Sequence, residues 1–142
     1  MKKLQFIFVA LLLLSSSCAT TRKVSQGDTL NLGATTWQVM ELNGKSIEPS
    51  EGNFMLVLNI DNTLSGKGAC NVIMGSYSQN NSGELSISKL ASTRSMCPDM
   101  ATEVEYIQAL ESASFFTVED GDLVLLTGGK TTMRLKSVIA DN

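Results

Sequence analysis

The chemistry open to this chain rests on three cysteines, fourteen acidic side chains and many serines, because its 142 residues include no histidine. Without an imidazole the commonest general base, proton shuttle and metal ligand is missing, and the usual serine-hydrolase triad goes with it. A serine–lysine pair is the remaining nucleophile arrangement. Its nearest approach, Ser86-Ile87-Ser88-Lys89, falls in a predicted strand and is given no catalytic role. Paired carboxylates could hydrolyse glycosides, yet the acids cluster in turns and on a predicted helix, where solvation is their ordinary task. Six methionines besides the initiator (Met40, Met55, Met74, Met96, Met100, Met133) could offer thioethers to Cu(I). They are spread over predicted strands and the helix, where methionine fills irregular gaps in a core. No cofactor, no metal and no enzymatic activity are expected.

Cys70 and Cys97 form an even pair in a chain whose start looks exported, and a disulfide is the natural expectation. It would close a loop of 28 residues counting both ends, worth about 3.5 kcal/mol on the chain-entropy argument. Free thiols, or a redox or metal pair, are the alternatives. The latter would want Cys-x-x-Cys spacing or histidine ligands, and the chain has neither.

Cys18 has a different setting. Lys2 and Lys3 precede an apolar run over 4–14, and Ser15, Ser16 and Ser17 supply small residues before a cut. A membrane-spanning helix needs about 20 apolar residues, so residues 1–17 are expected to be a lipoprotein signal peptide, with Cys18 the lipidated first residue of the mature chain. Ser15 and Ser17 depart from the Leu and the Gly or Ala that bacterial lipoproteins prefer there, and an ordinary secretory signal is the alternative. By resemblance to bacterial lipoproteins, the neutral Ala19 after the cysteine implies the outer membrane, and the lack of an acidic cluster after Cys18 implies its periplasmic side. Several acyl chains hold a protein where one binds only marginally. The membrane, reached through the anchor, is thus one expected partner.

Cleavage leaves 125 residues (142 less 17), enough for one domain. Losing Lys2 and Lys3 leaves 9 basic against 14 acidic side chains. With no basic stripe, nucleic acid is not an expected partner, and a monomer is expected. Residues 18–33 are polar and would form a flexible tether. Residues 34–138 would form the domain, and 139–142 a tail.

The elements that must position the cysteines follow from periodicity. Alternation over 37–42 predicts a strand, Asn43-Gly44 a hairpin turn, and 45–47 its short return. The apolar run 54–60 is the strongest strand signal, with burial on both faces expected for part of its length, and 63–66 its hairpin partner. Gly66, Gly68 and Gly75 suggest bulges or close backbone approach around Cys70. Residues 85–87, 115–118, 123–126 and 132–138 are further strands. Pro98 and Asp99 mark a helix start, Glu103 and Glu105 place negative charge near it, and Met100, Val104, Ile107 and Leu110 define one helical face over 100–112. Seven or eight strands and one helix make a mainly β fold, an antiparallel barrel or sandwich with the helix covering an opening.

The order Trp37, Asn43-Gly44-Lys45, Gly66-Lys67-Gly68-Ala69-Cys70-Asn71, Gly75-Ser76-Tyr77, Leu90-Ala91-Ser92-Thr93-Arg94-Ser95-Met96-Cys97-Pro98-Asp99, Glu103 and Leu110 resembles the META domain, whose bacterial members include HslJ-like heat-shock lipoproteins. The resemblance covers about residues 35–137. Ala69 separates Gly68 from Cys70 where the family pattern is Gly-Cys-Asn. The resemblance implies a cracked antiparallel β-barrel with one α-helix across it, and no established catalytic residues. It also implies a similarity to a secretin-pilot lipoprotein that binds lipid and a peptide. Cys70 and Cys97 match the family's paired cysteines. Asn71, Thr93 and Arg94 match motif positions of unassigned role, and Asn71 and Arg94 are expected to brace the loops beside the disulfide, with a ligand-binding role as the alternative. The functional expectation is a non-enzymatic outer-membrane lipoprotein whose domain is a binding or envelope-maintenance module. A barrel holding a small apolar ligand or lipid tail, a secretin-pilot-like chaperone, and an envelope-acting enzyme are the alternatives.

Overall fold

The computed structural model describes residues 32–50 and 52–138. The signal segment 1–17, Cys18, most of the tether and the tail 139–142 lie outside the described residues. Among the described residues nine strands and one helix follow in order: β1 Thr35–Leu42, β2 Lys45–Ser46, β3 Met55–Leu58, β4 Thr63–Lys67, β5 Val72–Gln79, β6 Leu85–Ser92, α1 Met100–Ser112, β7 Phe115–Glu119, β8 Asp122–Thr127 and β9 Lys130–Val138. All pairings are antiparallel, in the spatial order β6-β5-β4-β3-β1-β9-β8-β7, with β2 paired to β1. Among the described residues no helix is long and apolar enough to cross a membrane.

The two ends of this sheet meet only at the start of β6. Glu84 bridges to Phe115, and Leu85 N–H and Phe116 N–H donate to Ser114 and Gly83 carbonyls at 3.0 and 2.8 Å. Beyond that point β6 and β7 separate, and α1 packs across the gap against β6 and β1. This is the expected cracked barrel. Its interior is filled by side chains from every long strand, among them Trp37, Val39, Leu56, Leu64, Ile73, Leu123 and Leu135. Leu32 is part of that core, and Ala34 N–H donates to Leu58 at 2.8 Å. The packed domain therefore takes in the last two residues of the expected tether, because a leucine there finds apolar neighbours.

Two sequence expectations change for physical reasons. In β3 burial alternates, with Leu56 and Leu58 inside and Met55 and Val57 half-buried, while Ile60 lies 72% exposed beyond the strand. The continuous apolar run thus marks a one-sided strand. The additional strand is β5, whose inner face is Ile73, Gly75 and Tyr77. Glycine at the middle inner position erases the alternation by which the strand would be recognised. A Cβ on Gly75 would lie 2.8 Å from Leu90 Cδ2, so Leu90 fills the space the glycine leaves.

Leu90 reaches that space through a bulge. Ser88 pairs with Ser76 and Ala91 with Met74, leaving Lys89 and Leu90 opposite Gly75 alone. Lys89 takes a left-handed φ of 54°, a conformation that costs a non-glycine residue of order 1 kcal/mol. Simple alternation from Leu85 and Ile87 would have aimed Lys89 inward; the bulge turns Leu90 inward instead. Phe54 is likewise left-handed at φ 52°, and its ring meets Tyr106 edge-on at 5.9 Å.

Gly66 confirms the close approach expected of it. A Cβ there would stand 2.5 Å from the Met55 carbonyl oxygen across the β3–β4 ladder and 3.4 Å from the Tyr106 hydroxyl, which itself donates to that carbonyl at 3.1 Å. Gly66→Ala should therefore cost about 2 kcal/mol by overpacking against backbone. Denaturant unfolding checks this, and an unchanged midpoint would contradict it.

Candidate functional site

The motif residues converge where the β4–β5 loop meets the start of α1. Cys70 and Cys97 are bonded as a disulfide, with their Cα atoms 6.2 Å apart. Asn71, beside Cys70, is 1% exposed and uses both ends of its side chain. Its Nδ2 donates to Glu103 Oε1 at 2.5 Å and to the Ser95 carbonyl at 3.0 Å. Its Oδ1 accepts from Thr93 Oγ1 at 2.8 Å and from Ser95 N–H at 2.7 Å. Thr93 Oγ1 accepts in turn from Val72 N–H at 3.1 Å, while Thr93 N–H donates to the Val72 carbonyl. One amide thus ties the loop before β5 to the segment after β6, across the ring closed by the disulfide.

Glu103 completes the cluster. Sequence reasoning placed it among the solvated acids at the helix start, but it is 2% exposed. Its Oε2 accepts from the Cys70 and Asn71 backbone N–H groups at 2.9 and 3.0 Å. Burial pushes its carboxyl up. The N–H of Cys70, the side chain and N–H of Asn71 and the N–H of Ala69 outweigh that and hold it below its ordinary value of 4.5. Successive loop N–H groups form a concavity for an anion, and the anion is the chain's own. Gly68 makes the space, since a Cβ there would lie 2.6 Å from both Cγ and Oε2 of Glu103. The Gly68-x-Cys70-Asn71 pattern therefore encodes a socket, a cross-link and a clamp in sequence. The spacing alone held no sign that Glu103 was the occupant.

The helical face shifts accordingly. Glu103, Tyr106, Ala109 and Leu110 are buried, whereas Val104 is 46% exposed. The inward pull on Glu103 and the seat of Tyr106 under Phe54 rotate the buried stripe away from the Met100–Val104 line. Asp99 occupies the N-cap position but makes no side-chain capping bond.

Arg94 does not brace the loops as expected. It is exposed and forms no hydrogen bond or ion pair to a described residue. Instead it lines a cleft of about 380 Å³ together with Ile73, Leu90, Ala91, Ser92, Ile107 and Glu111. This cleft occupies the crack of the barrel, between the open half of β6 and α1, alongside the braced loop. Among the described residues, no three metal-ligating side chains converge.

The sequence pattern of the META domain matches residues 28–138. No curated protein sequence is similar enough to count as a relative. Among solved structures, a protein from Burkholderia xenovorans superposes with a TM-score of 0.58 at 24% identity, over 75% of this chain and 83% of that one. A DUF4847 family protein from Bacteroides vulgatus gives 0.60 at 18% identity, over 78% and 96%. At these identities the likeness is one of fold.

Asn71→Ala would leave the Glu103 carboxylate buried with a donor missing, at a cost of about 3 kcal/mol; denaturant unfolding measures it, and a loss below about 1 kcal/mol would contradict the clamp. The sign of the pH effect follows from the lowered carboxyl. Ionised Glu103 contributes stability in full above about pH 4.5 and loses it as pH falls through the lower folded value. Wild-type stability should therefore show an acid-side decline, part of which is missing in Glu103→Gln, so that the two curves converge as pH falls below the folded value. Parallel curves would rule out a role for the charge. Reducing the Cys70–Cys97 bridge should remove about 3.5 kcal/mol and lower the melting temperature. An unchanged melt would contradict a stabilising bridge.

Proposed function

The chain belongs to the META domain family, and on that footing we propose that it is a non-enzymatic binding or envelope-maintenance module, held at the bacterial outer membrane by acyl chains on Cys18 and facing the periplasm. The observation that carries this reading is how the motif's polar atoms are used. Asn71, Thr93 and Glu103 bond to one another and to loop backbone, so they hold a surface in shape and present little to a substrate. What that braced loop supports is the cleft lined by Arg94, which bonds to no described residue. A pilot-like chaperone would be one form of such a module.

A second reading places a small apolar ligand or lipid tail on the domain, favoured by Ile73, Leu90 and Ile107 in the cleft wall. Because side chains fill the barrel interior, such a ligand would lie in the cleft. The anchored reading is tested by Cys18→Ser. In cells fed an alkyne-tagged fatty acid, the wild-type chain should carry the label and fractionate with outer membrane. The variant should lose the label and leave the membrane. An unlabelled wild-type chain in the soluble periplasmic fraction would sink the proposal.

A further inference from the structure

The crack of the barrel leaves a strand edge open beside an apolar bed that has opposite charges on its rim. β6 pairs with β5 along its length, but its other side is sealed by β7 only at the Glu84–Phe115 end. The Lys89 bulge lies within the open part, four residues past the last bond to the β7 end at Leu85. After it come Leu90, Ala91 and Ser92, which line the cleft. Ala91 and Ser92 are exposed, while Leu90 and Ile107 are half-buried and Ile73 forms the floor. Arg94 and Glu111 both line the same cleft, and neither is in an ion pair with a described residue.

We propose that this cleft binds an extended segment of a partner polypeptide, added as a strand along the open half of β6, with one aliphatic side chain on Ile73, Leu90 and Ile107. Flanking acidic and basic side chains of the segment meet Arg94 and Glu111. Three observations favour a peptide over an acyl chain. An open strand edge offers backbone hydrogen bonds that only another backbone can use along its length. The volume of about 380 Å³ is at the small end of the ~300–1,000 Å³ typical of ligand clefts, which suits one or two side chains better than a long tail. A fatty acid carboxylate would answer Arg94 and leave Glu111 facing an apolar chain, whereas a peptide supplies both charges. With Arg94 just past the end of β6 and Glu111 in the last turn of α1, the unlike charges would also fix the direction in which the strand enters. The inference rests on the domain being a binding module and names the chemistry of its partner.

The test uses the full chain purified in detergent and two fluorescein-labelled heptapeptides of opposite charge order, Thr-Lys-Val-Leu-Val-Glu-Thr and Thr-Glu-Val-Leu-Val-Lys-Thr. Fluorescence polarisation should show saturable binding that prefers one order. Replacing the central leucine by aspartate, or introducing Arg94→Glu, should weaken the preferred peptide about tenfold or more. Both altered protein positions are exposed, and the double variant Arg94→Glu with Glu111→Lys should exchange the preference between the two peptides. Binding of neither peptide, or affinities indifferent to these changes, would overturn the proposal. Saturable uptake of a fluorescent fatty acid in place of both peptides would overturn it too, while leaving the binding-module reading intact. The membrane anchoring that the same reading includes is tested separately, by the fractionation of Cys18→Ser.

Discussion

A carboxylate withdrawn from water needs several fixed donors, and the arrangement around Glu103 is organised by that need. Two backbone N–H groups and the Asn71 amide bond to the carboxylate directly, with the Ala69 N–H contributing nearby. To bring them together the chain must keep Gly68 bare, hold Cys70 and Asn71 in one turn, and press the first turn of α1 onto the loop. The disulfide and the Thr93–Val72 bonds then fasten the far side of the same cluster. A buried charge is weak evidence for net stability, because desolvation offsets much of the attraction. Its better-supported consequence here is registration, since α1 has one position along the loop that satisfies the carboxylate.

That registration decides the shape of the crack. With Glu103 seated, Tyr106 lies under Phe54 and reaches the Met55 carbonyl, which fixes the helix against β3 and β4. Burial pushes the Tyr106 hydroxyl well above its ordinary pKa, so it serves as a neutral donor throughout the physiological range. Ile107 and Glu111, one turn and two turns past Glu103, thereby line the same cleft as Leu90 and Arg94. On the sheet side, the bare Gly75 and the left-handed Lys89 deliver Leu90 to the same place. The cleft is thus the product of two independent devices, a socketed carboxylate on the helix and a bulge on the strand.

Much of this was legible in the residues. Alternation and turn pairs such as Asn43-Gly44 placed most strands, and the change of period placed α1 at Met100–Ser112. The cysteine pair and the three glycines around it pointed to a cross-linked region of close approach, as found. What stayed hidden depended on partners distant in sequence. Glu103 is 32 residues from Asn71, and nothing local separates an acid aimed at solvent from one aimed at a loop. Its proximity to the disulfide motif in the family-like pattern was the one available signal. Val104 looked like a core position because the face was inferred from apolar residues alone, whereas the true face includes a charged one. β5 escaped because its central inner residue is glycine, and Arg94 was assigned to bracing that Asn71 and Thr93 accomplish without it.

The central claim is that the Glu103 carboxylate locks loop and helix into one cooperative unit with the barrel. Native-state hydrogen exchange of the Cys70 and Asn71 amide protons tests it most directly, because those protons are the ones the carboxylate holds. At neutral pH both should exchange only through global unfolding, with the protection of core amides in β1 and β9. Exchange at the rate of an exposed loop, with the core still protected, would mean that the loop opens on its own and that the carboxylate does not govern the fold around it.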